Sequence, residues 1–123
     1  MGKIREIKSS IVREKAFGEL SIRARYLFIL LWTEADDEGI LIGNPKLLSS
    51  VLYPFDDEIP PQIGSWLDEL EEKGLILRYF AKSEDYIQIN NWLKYQYIPR
   101  PKRSTHPHPE DASQSGEKGL KKK

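Results

Sequence analysis

The chain has 123 residues, enough for one domain with a single hydrophobic core. It contains no cysteine, which excludes disulfides and Cys-ligated metal sites and fits a reducing cytoplasm. The 19 basic and 19 acidic residues cancel but are segregated: residues 1–33 carry a net charge of +4, residues 34–75 of −9 and residues 76–123 of +5. Such segregation can steer a polyanion towards one face of a protein, although an ordinary solvated surface explains it as well.

Neither a secretory signal nor a membrane span is predicted. The first residues lack the apolar run of a signal peptide. The longest apolar stretch, residues 26–32, is far shorter than a bilayer requires. We therefore expect a soluble, cytoplasmic protein with no membrane partner.

A central helix is predicted after Ser21, which can cap its first turn. Its apolar residues recur at i, i+3, i+4 and i+7, the spacing of one helix face. They are Ala24, Leu27, Phe28, Leu31 and Ala35. Gly39 follows an acidic turn at residues 36–38 and suits the left-handed conformation that ends a helix. The run Ile40–Ile42 then predicts a short strand.

Two further helices follow this strand. Asn44 and Pro45 pair a capping residue with proline at the first helical position, and Pro54 ends the second helix. The third helix begins at residues 60–61, carries apolar residues at helical spacing and ends at Gly74.

A hairpin is predicted next. Residues 76–81 and 86–90 are rich in aromatic and β-branched side chains and flank a polar turn at residues 82–85. The order helix, short strand, helix, helix, hairpin is typical of a winged helix-turn-helix. In this α+β fold the hairpin is the wing and the short strand completes the sheet.

The end of the chain differs in composition. Residues 99–123 are rich in proline and lysine, and Leu120 is almost their only apolar residue. Such a segment cannot bury enough surface to offset the entropy of ordering it. We therefore expect a winged-helix domain at residues 1–98 and a disordered basic tail at residues 99–123.

Several blocks of sequence carry a family resemblance. They span residues 20–32, 35–39, 52–57, 66–76 and 87–96, followed by Arg100 and Pro101. The most specific are Trp-Thr-Glu-Ala-Asp-Asp-Glu-Gly at residues 32–39 and Asn-Trp-Leu-Lys-Tyr-Gln at residues 91–96. In these blocks the chain resembles winged-helix proteins of bacteriophages and prophages, akin to the N-terminal domains of replication-initiation proteins (DnaD-like replisome organisers). The resemblance implies a role in DNA replication or its control inside a bacterial host cell, with a replication protein as a possible partner.

The third helix would be the recognition helix of this fold, whose N-terminal half reaches base edges. Here only Gln62 and Ser65 can read bases, and no arginine is available for a bidentate contact with guanine. Carboxylates at residues 56–58 and 68–72 stabilise the helix dipole if they lie near its N-terminus, but they also repel phosphates. The usual docking of this helix is therefore disfavoured.

Basic residues of the wing and tail are the better candidates for contacts with single- or double-stranded DNA, mainly through phosphates. The predicted nucleic-acid-binding residues are Arg78, Lys82, Lys94, Arg100, Lys102 and Arg103, together with Gln62 and Ser65. Basic residues of the N-terminal arm could add to them: Lys3, Arg5, Lys8, Arg13 and Lys15. Tyr95 and Tyr97 either stack on single-stranded bases or pack the tail across the wing.

The predicted domain lacks the residues needed for catalysis or cofactor binding. His106 and His108 lie in the Pro-rich tail without a third metal ligand nearby. The acidic clusters at residues 36–38 and 56–58 sit at turns or caps, where consecutive carboxylates do not easily converge on one ion. No phosphate-binding glycine loop is present. We expect no enzyme activity, no cofactor and no metal.

Two main functions remain open. One is a phage-type DNA-binding accessory protein, and the other is a protein–protein interaction module that uses the acidic third helix; a transcriptional regulator is a further alternative. Fold alone does not decide between them. A homodimer is possible in either case. Its interface would include apolar residues that precede Ser21: Ile4, Ile7, Ile11, Val12 and Phe17.

Overall fold

The computed structural model describes residues 3–57 and 60–112. Across these residues it is an α+β structure with five α-helices and one three-stranded antiparallel sheet, which confirms the predicted α+β class. The helices are α1 (Lys15–Gly18), α2 (Ile22–Glu34), α3 (Pro45–Leu52), α4 (Pro60–Glu72) and α5 (Trp92–Tyr95). The strands are β1 (Ile40–Ile42), β2 (Ile76–Ala81) and β3 (Glu84–Ile89), and 3₁₀ turns occur at Ser9–Arg13 and Pro109–Asp111. No helix in the described part of the chain is long and apolar enough to cross a membrane.

Helix α2 is the centre of the hydrophobic core. Its N-terminus is capped by Ser21, whose Oγ accepts a hydrogen bond from the Ala24 N–H at 3.2 Å. The predicted apolar face is confirmed, because Leu27, Phe28 and Leu31 are fully buried. Helix α4 packs against α2, and α3 packs against α4. Leu48 of α3 and Ile87 of the sheet belong to the same main core.

The hairpin is tighter than the sequence predicts. Strand β3 begins at Glu84, so the turn contains only Lys82 and Ser83, with φ angles of 48° and 65°. Two consecutive residues with positive φ produce the turn twist that matches antiparallel strands. With this turn, Tyr79 pairs with Tyr86. Strand β1 pairs with the other edge of β3, so β3 is the central strand in the order β1-β3-β2.

Both faces of the sheet are covered. Side chains on one face, including that of Leu41, join the main core. The other face forms a second apolar cluster of Ile40, Tyr79, Ala81 and Tyr86. Residues 99–112 are here called the C-terminal strap, and residues 106–112 of it lie across this second cluster.

The strap corrects the expectation that disorder begins at residue 99. The Tyr79 hydroxyl donates a hydrogen bond to the Pro107 carbonyl at 2.6 Å, and the ring centroids of Tyr86 and His106 are 5.3 Å apart. Ala112 packs against the same cluster. The strap carries few apolar residues of its own, but the sheet supplies the apolar surface that it covers. The remainder of the predicted tail, residues 113–123, lies outside the described residues.

Two of the buried tyrosines, Tyr53 and Tyr79, differ in whether the hydroxyl has a hydrogen-bond partner, and together they provide a matched test. Tyr53 is 7% exposed, burial raises its pKa to about 12, and its hydroxyl has no hydrogen-bond partner among the described residues. We expect Tyr53→Phe to raise the free energy of unfolding by up to about 1 kcal/mol, because it removes an unsatisfied buried polar group. Tyr79→Phe should lower it by about 1 kcal/mol. Urea denaturation measures both, and an equal loss for the two variants would contradict the assignment.

Two glycines with positive φ allow the stability cost of backbone strain to be measured separately from that of a steric clash. A Cβ on Gly39 (φ +81°) would approach the Trp92 ring to 2.7 Å, whereas one on Gly74 (φ +75°) would meet nothing within 4 Å. We expect Gly74→Ala to cost about 1–2 kcal/mol of unfolding free energy through left-handed strain alone. Gly39→Ala should cost about 2–5 kcal/mol, because overpacking adds to the strain. Similar losses in denaturant titrations would show that the Gly39–Trp92 approach is not a tight one.

Candidate nucleic-acid interface

The acidic turn at residues 36–38 anchors the C-terminal strap. Asp36 Oδ1 accepts backbone hydrogen bonds from Glu38 and Ile40 at 2.9 and 3.0 Å, which shapes the turn. Its other oxygen accepts a hydrogen bond from the Ser104 hydroxyl. Asp37 Oδ2 accepts from the Lys102 N–H at 2.9 Å, and Glu38 Oε2 accepts from the Ser104 N–H at 3.1 Å. These carboxylates therefore bind the protein's own backbone, and no group of three metal-ligating residues occurs in the part of the chain described.

His108 completes this attachment. Its Nε2 lies 2.6 Å from Glu38 Oε1, and its Nδ1 lies 3.9 Å from Asp111. The hydrogen bond with Glu38 raises the pKa of His108. Hydrogen bonds from His108 and Ser104 lower the pKa of Glu38. The His108–Glu38 contact is therefore an ion pair over the pH range between these two pKa values.

Three of the predicted DNA-binding residues lie together at the start of the strap. We call Arg100, Lys102 and Arg103 the basic corner. All three are exposed. Their side chains make no hydrogen bond or ion pair with the residues described, although Arg103 is close enough to Glu38 to lower its pKa slightly. The basic corner thus presents three cationic side chains to solvent.

Arg78 occupies a different environment from the one expected for a DNA-contacting wing residue. Its Nη2 lies 2.5 Å from Asp68 Oδ1, and its Nε donates to Glu71 Oε1 at 2.8 Å. The side chain is 25% exposed. Arg78 therefore joins β2 to α4, and its charge offsets two carboxylates of its own chain.

The other predicted residues are scattered. Lys94 pairs with Glu14 at 3.1 Å. Lys82 is exposed at the hairpin turn, whereas the basic corner lies near the far end of β3, roughly 17 Å away for five residues of strand. Gln62 and Ser65 are exposed on α4. Wing and tail therefore do not form one continuous basic patch.

Most of the basic N-terminal arm has a structural role. The ammonium of Lys3 donates to the Ala35 carbonyl at 2.8 Å, and Arg5 donates to the carbonyls of Trp32 and Ala35, both at 2.9 Å. These cations satisfy carbonyls at the C-terminal end of α2 and interact favourably with its dipole. Lys8 similarly donates to the Lys94 carbonyl. Of the arm's five basic residues, these three therefore bind backbone carbonyls, and Lys15 forms an exposed ion pair with Glu19 at 3.8 Å.

The two tyrosines after the hairpin differ in exposure. Tyr95 is 5% exposed, and its ring stacks on Trp32 at a centroid distance of 5.3 Å. Tyr97 is 72% exposed. Tyr95 therefore packs in the main core, which neither of the two alternatives predicts, and of the two tyrosines only Tyr97 has an exposed ring.

The apolar residues expected at a dimer interface divide in the same way. Ile11 and Phe17 belong to the main core and are nearly buried. Ile4, Ile7 and Val12 are exposed. The expectation that Ile11 and Phe17 lie at an interface is corrected, since both stabilise this protomer.

Carboxylates of the acidic helix α4 are largely occupied. Glu69 accepts hydrogen bonds from the backbone N–H and the hydroxyl of Ser21, both at 2.8 Å. Asp68 and Glu71 hold Arg78. The helix therefore uses three of its four carboxylates to join α2 and β2, which the sequence pattern does not reveal.

A cleft of about 650 Å³ lies beside the basic corner, where the sequence pattern indicates no site. We call it the Trp92 cleft. Its apolar lining residues are Ile89, Trp92, Leu93 and Pro101. Its polar lining residues are Asp37, Glu38, Gln88, Asn91 and Arg103. The cleft exists because the strap returns to the acidic turn, so no local pattern could have indicated it.

No protein-family model, curated protein or solved structure matches this chain.

Titration of His108 tests the attachment of the strap. Its pKa is raised by Glu38, with smaller contributions from Glu110 and Asp111, so the attraction is complete below the ordinary histidine pKa and is lost as pH rises through the raised value. Glu38 acts in the opposite sense: its contribution is lost as pH falls through its lowered pKa. We expect two-dimensional NMR to give a His108 pKa above its ordinary value of 6.5, and Glu38→Gln to return it towards that value. An ordinary pKa in the unmodified protein would contradict the contact.

Proposed function

We propose that this chain is a winged-helix DNA-binding accessory protein of the phage type, acting in replication initiation or its control. The element order α2-β1-α3-α4-β2-β3 and the sheet order β1-β3-β2 support the winged helix, with α4 in the position of the recognition helix. The phage and replication context rests on the family resemblance of residues 20–101.

The basic corner is the observation that carries DNA binding. Arg100, Lys102 and Arg103 are exposed on one short stretch, and no carboxylate of the described residues forms an ion pair with them. Clustered cations of this kind bind phosphates through counterion release, with little dependence on base sequence.

Helix α4 does not enter a DNA groove in this proposal. Its exposed face carries Gln62 and Ser65, but Asp68 and Glu72 follow on the same side. Asp68 remains 71% exposed despite its ion pair. The phosphates that flank a DNA groove would repel this face of α4. In this proposal the DNA therefore contacts the basic corner instead.

The interaction module based on the acidic helix receives less support. Glu69 caps the start of α2, and Asp68 and Glu71 hold Arg78. A basic partner would have to compete with these internal contacts. DNA binding through the basic corner requires no such exchange.

The salt dependence of DNA binding tests this function with charge-matched variants. We expect Lys102→Ala/Arg103→Ala to reduce the slope of log K against log salt by about 1–2 units, since each phosphate contact contributes about 0.7–0.9. The control Lys15→Ala/Lys73→Ala also removes two positive charges, but from the exposed pairs with Glu19. It should leave the slope nearly unchanged.

Fluorescence anisotropy with labelled single- and double-stranded DNA across a salt series gives these slopes. No binding of either form at low salt would overturn the proposed function. Equal losses in the two double variants would show that net charge, and not the basic corner, determines binding.

A further inference from the structure

The Trp92 cleft is a concave site directly beside the basic corner, and we propose that it receives one unpaired nucleobase of a single-stranded nucleic acid. This inference rests on the proposed DNA-binding function and names the part of the ligand that the cleft recognises. The basic corner would hold the sugar-phosphate backbone, and the cleft would hold the base.

The size and walls of the cleft suit a base. Its volume of about 650 Å³ lies within the range of about 300–1,000 Å³ typical of small-ligand sites. Leu93, which is 68% exposed, and Pro101 provide apolar surface. The Trp92 indole forms part of the wall but is only 5% exposed, and the Arg5 guanidinium lies 5.1 Å from its ring centroid. A base therefore packs against aliphatic side chains and does not need an open aromatic face.

Two amide side chains in the lining have unused hydrogen-bonding capacity. Gln88 is half-buried on β3, and Asn91 precedes α5 without capping it through its side chain. Neither side chain makes a hydrogen bond with the residues that the structure describes. A carboxamide both donates and accepts, as does the edge of an unpaired base. The carboxamides of Gln88 and Asn91 can therefore form hydrogen bonds with the edge of a base in the cleft.

The charges in and around the cleft favour a neutral base inside it and a phosphate beside it. Asp37 and Glu38 line the interior, where their carboxylates already accept hydrogen bonds from the strap. They repel a phosphate but not a neutral base. Arg103 lines the cleft and belongs to the basic corner, so the phosphates adjoining the bound base have a cation next to them. A duplex, whose bases are stacked and paired, offers no base that can enter.

The test compares a thymidylate strand with an abasic strand of the same length, which retains the phosphates but has no bases. We expect the unmodified protein to bind the thymidylate strand at least about fivefold more tightly, which is about what one net hydrogen bond to the base edge contributes. In Gln88→Ala/Asn91→Gly this preference should fall to near one, while affinity for the abasic strand and its salt slope stay unchanged. Glycine is chosen because Asn91 has a φ of 58°.

A matched control removes two polar side chains from the exposed face of α4. Gln62→Ala/Ser65→Ala should retain the full preference for thymidylate. If it loses the preference and Gln88→Ala/Asn91→Gly keeps it, the base lies on α4 and the inference is overturned. Equal binding of thymidylate and abasic strands by the unmodified protein also overturns it, but leaves phosphate binding by the basic corner standing. Failure to bind any strand overturns the proposed function as well.

A spectroscopic measurement on the unmodified protein locates the base without relying on a variant. The Trp92 Nε1–H donates to the Asp37 carbonyl at 3.0 Å on the wall of the cleft. We expect its NMR resonance to shift on saturation with the thymidylate strand and not with the abasic strand. Identical shifts with both strands, or none with either, would place no base in the cleft.

Discussion

The close packing of Gly39 against Trp92 is the constraint on which the rest of the candidate interface depends. No side chain fits at position 39, because a Cβ would meet the indole ring at 2.7 Å. The same turn is joined to β3 by the hydrogen bond from the Ile89 N–H to the Gly39 carbonyl, and to α5 by the bond from Trp92 Nε1 to Asp37. The end of α2, the start of β1 and α5 are thereby held as one unit. Both the wall of the cleft and the anchor of the strap lie on this unit.

Internal pairing of charges decides which charges remain for a partner. The middle of the sequence is strongly acidic, yet its carboxylates cap α2, hold Arg78 and bind the backbone of the strap. Many basic residues are likewise engaged, as Arg5 is with the carbonyls that end α2. The net charge of a segment is therefore a poor guide to its surface. The basic corner matters because it lies outside this pairing, not because it is the most basic part of the chain.

Much of the fold could be predicted because its determinants are local. The Ser21 cap, the helical spacing through Leu31 and the capping of α3 by Asn44 each depend on residues within one or two turns. The strap could not be predicted in this way, since Lys102 binds Asp37 across 65 positions of sequence. The sequence predicts an exposed wing position for Arg78 for the same reason: nothing in the strand pattern indicates that its side chain turns towards Asp68 on α4. Local patterns specify elements, but contacts between elements specify which side chains remain available.

The way the strap is attached explains how an acidic turn and a basic corner can lie side by side without neutralising each other. Asp37 binds Lys102 through the backbone N–H, and Glu38 binds Ser104 through its backbone N–H. A carboxylate satisfied by backbone N–H groups does not need the ammonium of Lys102, so that side chain can extend into solvent. Had the contact been an ion pair between side chains, a phosphate would have to break it before binding. Because the contacts of Lys102 and Ser104 with Asp37 and Glu38 use backbone N–H groups, the strap can stay in place, and the cleft with it, while the cations of the basic corner bind an anion.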